Sequence, residues 1–162
     1  MIDNSNSALN RFRVAAEAFI EAVDSAPTVK RDAFLSSINH CLAELYSSAL
    51  RLPAVAPDTS QVDETPSVKR EWEGLFLSLR EKIGPLDGYW NVFDSTTKST
   101  TVQGSLSIDI SEIYSDIKQG FRLEVVGVPE ADFLWDLRFS FRSHWGRHAL
   151  GALTAIHDRH VE

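Results

Sequence analysis

Apolar residues return at helical spacing along most of the chain. Leu9, Phe12, Ala16, Phe19, Ile20 and Val23 share one face of a segment from about Ala8 to Ser25, which predicts an amphipathic helix ending before Pro27. Phe34, Leu35, Ile38, Cys41, Leu42, Leu45, Tyr46 and Ala49 do the same from about Arg31 to Leu52, where Pro53 stops a second helix. A third opens with Thr65 as cap and Pro66 in the first helical position, places Val68, Trp72, Leu75, Phe76, Leu79 and Ile83 on one face, and ends at Gly84-Pro85. A fourth runs from about Ser107, a candidate cap, to Val126, and a fifth, the longest, from about Glu130 to Arg159. Residues 53–66 and 84–106 read as internal loops, the first proline-rich, the second an aromatic cluster (Tyr89, Trp90, Phe93) followed by a Ser/Thr-rich run without alternation. Five helices with almost no strand signal predict an all-α antiparallel bundle, with 1–162 as a single domain.

The fifth helix carries the candidate chemistry. At about 100° per residue, with Phe133 at zero, Leu137 falls near 40°, Phe141 near 80°, His144 near 20° and His148 near 60°. Both imidazoles therefore project into the apolar stripe of an unbroken rod. Buried imidazoles need polar partners, since an unpaired buried polar group costs about 1–3 kcal/mol. Asp109, Glu112 and Asp116 form a row on the fourth helix at the border of its apolar face, and these acids are the candidate partners.

Three readings of this constellation are open. In a structural one, His144, His148, Arg138 and Arg142 hydrogen-bond to carboxylates and carbonyls and fix the bundle register. In a metal-binding one, His144 and His148 are an i, i+4 pair awaiting a third ligand. In a catalytic one, a histidine acts as general base beside Asp109, Glu112 and Asp116. Metal-dependent DinB-like bundles are similar in pairing an early-helix histidine with H-x-x-x-H on a late helix. Here the early ligand would be His40, which projects about 170° from the centre of its helix's apolar face. His157 and His160 lie near the C-terminus and read as exposed.

Composition narrows the classes. Sixteen basic against 23 acidic side chains give a formal charge of −7, which disfavours nucleic acid and anionic lipid and points to a partner protein with a basic surface. The sequence has no secretory leader pattern and no apolar run of membrane length, so a cytoplasmic protein is expected. One cysteine, Cys41, precludes an intrachain disulfide and reads as a packed thiol. There is no G-x-S-x-G, no phosphate loop and no H-E-x-x-H, and no cofactor is implied.

The segments LDGYWNVFD (86–94), GSLSIDISEIYSDIK (104–118) and WDLRFSFRSHWGRHALGALTAIH (135–157) resemble a bacterial family defined as domain of unknown function number five thousand and sixty-three. The resemblance covers roughly residues 8 to 158. Its firmest features are the Trp145-Gly146 pair, the acidic fourth helix and the closing Ala155-Ile156-His157. It implies a small cytosolic helical protein without an assigned activity. Gly146 in mid-helix calls for close approach of another segment, with Tyr89 and Trp90 the expected neighbours, so that Tyr89, Trp90, Trp145, Gly146, Arg138 and Arg142 would form one structural cluster. The leading functional expectation is a non-enzymatic protein-binding module, in one form immunity- or adaptor-like. The alternative is a metal-dependent or acid–base hydrolase built on the His/carboxylate set.

Overall fold

The structure, a computed structural model, describes residues 2–58, 69–92, 96 and 100–159. The expected cap at Thr65-Pro66, and Phe93 and His160, lie outside them. Helix α1 spans Ile2–Asp24, α2 Arg31–Ala49, α3 Lys69–Ile83 and α4 Leu106–Val125. The last helical rod is α5 (Glu130–Ser140), a five-residue π turn (Phe141–Trp145) and α6 (Gly146–His157). The fold is largely all-α, as the periodicity predicts.

The second expected loop is a correction. After a 3-10 turn at Gly84–Leu86, strands β1 (Gly88–Val92) and β2 (Thr101–Ser105) pair antiparallel, with Tyr89 opposite Gly104 and Asn91 opposite Val102. Ser105 ends β2 and also caps α4, its hydroxyl accepting from the Ile108 amide at 3.3 Å. The helix thus starts earlier than the Ser107 cap read from sequence. Asp87 completes the junction, accepting from the Ser107 amide at 2.7 Å and from the Ser105 hydroxyl at 2.9 Å. Two side-chain acceptors satisfy amides that the first turn of a helix leaves unpaired.

One core holds the helices together. Phe12, Ala16 and Phe19 of α1, Leu35, Ile38 and Leu42 of α2, Leu79 and Ile83 of α3 and Ile110, Ile113 and Ile117 of α4 are all buried. The last rod adds Phe133, Leu137, Phe141, Trp145, Ala149, Ala152 and Ile156. Trp145 is the largest of these, 1% exposed, with its ring 4.7 Å from Phe141 and 6.5 Å from Phe12 between centroids. Burial of such aromatic area supplies much of the driving force for closing the bundle.

The π turn changes which residues face that core. An i→i+5 turn accommodates one extra residue, so positions beyond it lag an ideal α-helix by about 100°. The buried row passes through Phe141 and Trp145 to Ala149, and His144 and His148, each one residue earlier, fall to its flank. The expectation of an unbroken rod with enclosed imidazoles is corrected here: His144 is exposed and His148 half-buried. Gly146 permits the turn, since a Cβ there would lie 2.5 Å from the Phe141 carbonyl oxygen and 2.9 Å from its ring.

Gly146→Ala is therefore expected to lower the unfolding free energy by about 1–3 kcal/mol despite alanine's better helix propensity. Gly74→Ala, on α3 with nothing within 4 Å of the added Cβ, should instead raise it by up to about 1 kcal/mol. Urea denaturation of both variants checks this; equal effects would contradict close approach at Gly146.

Candidate functional site

Helix α4 packs along the α5–α6 rod, and two imidazole–carboxylate pairs cross the seam. His148 Nδ1 lies 2.8 Å from Asp109 Oδ1, and His144 Nδ1 2.8 Å from Asp116 Oδ2. An ionised carboxylate only accepts, so each Nδ1–H donates and fixes the Nε2 tautomeric role of a neutral ring. The two rings stand edge to face, 4.9 Å between centroids. Glu112 closes the row, its Oε2 4.0 Å from His144 Nε2.

Asp109 is the buried member, 6% exposed. Its second oxygen accepts from the Tyr89 hydroxyl at 2.6 Å, so the ribbon, α4 and α6 meet on one carboxylate. Asp116 is likewise shared, accepting from the Ser140 hydroxyl at 2.9 Å as well as from His144. Burial and then the Asp109 charge hold the Tyr89 phenol far above its ordinary value, so it stays a donor. The hydrogen bond to Asp109 raises the His148 pKa, helped by the charges of Asp109, Glu112 and Asp116 and opposed by burial. Asp136 on α5 belongs to the same strip: burial and the neighbouring Asp116 charge push its carboxyl up.

The sequence-predicted set thus divides. His144, His148, Asp109, Glu112 and Asp116 come together, and Tyr89 joins them. The six-residue aromatic and arginine cluster does not form one unit, which corrects that expectation. Tyr89 packs over Gly104 and Gly151, where an added Cβ would overlap its ring or hydroxyl, whereas Gly146 is filled by Phe141. Trp90 alternates to the outer face of the ribbon and is 72% exposed. Trp145 is core, Arg138 donates to the Leu52 carbonyl beyond the end of α2 at 2.6 Å, and Arg142 is exposed. Tyr89 as partner of Asp109 was missed by sequence reasoning, because the two residues are 20 apart on elements whose pairing no periodicity announces. Asp136 also joins the site without a signal in the sequence, since its proximity to Asp116 arises from the packing of α5 on α4.

No group of three or more His, Cys, Asp or Glu among the described residues is arranged to hold a metal ion. His40 is exposed and lines a cleft between α1 and α2 together with half-buried Cys41, whose thiol is raised chiefly by burial. It does not join the histidine pair. His157 is exposed. Four clefts among the described residues lie elsewhere, none of them lined by Asp109, Glu112, Asp116, His144 or His148. No helix among the described residues is long and apolar enough to cross a membrane.

The chain belongs to the family described as Domain of unknown function (DUF5063), whose model matches residues 4–162. Protein BF1032 from Bacteroides fragilis, a solved crystal structure, is similar in fold: the TM-score is 0.79 at 24% identity, over 94% of this chain and 92% of that one. No curated protein is significantly similar to the chain.

Two measurements test the seam. Tyr89→Phe leaves a buried carboxylate oxygen without its donor and is expected to cost about 1–3 kcal/mol of stability. His148 holds its proton more tightly folded than unfolded, so its contribution is complete below the unfolded pKa of 6.5 and fades as pH rises through the higher folded value. Urea unfolding at about pH 6 and about pH 8.5 should therefore show a decline in the parent that His148→Gln reduces. An unchanged decline in that variant would assign the effect to another group.

Proposed function

We propose that the protein is a non-enzymatic binding module that docks a partner protein through the strip formed by Glu112, Asp116, Asp136 and His144. The partner presents a basic surface to it. The observation that carries this reading is the crowding of Asp116 and Asp136. Both are partly buried, and burial first, then the Asp116 charge, push Asp136 toward its neutral form. Like charges held together at partial burial cost the free chain stability, and an incoming lysine or arginine relieves that cost. The net charge of −7 steers such a partner in.

A second reading rests on the Asp–His pairing itself. An imidazole whose Nδ1–H is held by a carboxylate presents Nε2 as a base, the orientation used in acid–base hydrolysis. It would make His144 and His148 the bases, oriented by Asp116 and Asp109. That reading needs a substrate cleft beside the rings, and neither His144 nor His148 lines any of the four clefts described above, which favours binding.

Affinity capture from host extract at low salt is expected to recover a stoichiometric basic partner, lost at high salt. Asp136→Asn should weaken that capture by about tenfold. Because the folded Asp136 pKa is raised, its charged form destabilises the fold above the unfolded value of 3.8, so the same variant should be more stable than the parent at neutral pH. Recovery of no stoichiometric partner, or a variant that captures as well as the parent, would refute the docking role.

A further inference from the structure

We infer that the cleft between the end of α2, the ribbon and α6 binds a small amphipathic organic anion, its acidic head on Arg142 and its apolar body on Leu50, Val92, Val102 and Leu150. The cleft has a volume of about 610 Å³, within the range of about 300–1,000 Å³ usual for small-molecule sites. Those four apolar side chains line it and are 39–61% exposed, a concentration of uncovered apolar surface that a bound hydrocarbon would remove from water.

Its charge is opposite to that of the chain as a whole. Arg142 lines it, and no Asp or Glu is among the described lining residues, although the chain carries 23 acidic side chains against 16 basic ones. The α1–α2 cleft sets Glu44 against Arg11 and Arg51, and the α1–α4 cleft sets Glu17, Glu21 and Glu124 against Arg13, Lys118 and Arg122. Each of those two holds at least one acid, the first with one base in excess and the second in balance. The fourth cleft also lacks an acid among its described lining residues and shares Arg142 at its edge, but it is smaller, about 350 Å³, and its Arg138 is engaged by the Leu52 carbonyl. Arg142 has no hydrogen-bond or ion-pair partner among the described residues, and its planar guanidinium suits a carboxylate or phosphate head bidentately. It stands within the π turn, a backbone irregularity that recurs at functional sites and that sets the direction in which the residues of this turn project. Asn91 adds a neutral donor to the wall. The site lies apart from the acidic strip and does not depend on its role.

Calorimetric titration of the full chain with octanoate and with 1-octanol tests the inference. Octanoate should bind saturably and at least about tenfold tighter than the neutral alcohol. Arg142→Gln should remove most of that difference and leave octanol binding unchanged, whereas Leu150→Asn should weaken both ligands; circular dichroism confirms that each variant is folded. Octanoate binding no tighter than octanol, or undiminished in Arg142→Gln, would overturn the assignment. So would binding confined to an acidic peptide carrying the same apolar groups, since the cleft would then serve a protein segment.

Discussion

A carboxylate removed from water needs all of its acceptor capacity answered, and in this protein that demand falls on Asp109. One oxygen takes the Tyr89 hydroxyl and the other the His148 ring, so three elements far apart in sequence are held by the requirements of a single group. The ribbon has little core of its own, since two strands alone are marginal in water. Its attachment comes from Tyr89 and from the Arg159 guanidinium, which donates to the Gly88 carbonyl at 2.7 Å. Without the buried acid, the hydroxyl of the ring over Gly151 would lose the acceptor that ties it to α4.

The π turn acts on the other side of the same rod. By delaying the helical phase by one residue, it lets Phe141, Trp145 and Ala149 face the core while His144 faces the acids of α4. It also divides charge. Acids gather along α4 and α5, while Arg142 lines a cleft whose described walls carry no acid. A chain with a net charge of −7 therefore keeps its acids on the α4–α5 side while Arg142 faces a cleft without a described acid.

Much of this was legible in the sequence, and the failures have definite causes. The apolar rows of α1, α2 and α4 identify core residues because each of those helices keeps one period from end to end. The association of His144 and His148 with Asp109, Glu112 and Asp116 also followed, because spacing on each helix places them on matching faces. Their exposure did not follow: a projection at constant angle cannot register an inserted residue, and Phe141 to Trp145 reads as ordinary helix. The ribbon was hidden because its Ser/Thr-rich second strand has no alternation, its inner face being supplied largely by Tyr89 lying over Gly104.

Ser105 closes β2 and opens α4 with no residue to spare between them. Most neighbouring elements are joined by a few residues that can absorb a change in direction, and here that slack is missing. The ribbon and the helix are consequently one mechanical part: a tilt of the strands must either unwind the first turn of α4 or swing the whole helix with it. Whatever grips the ribbon therefore has direct leverage on the row of acids that the helix carries.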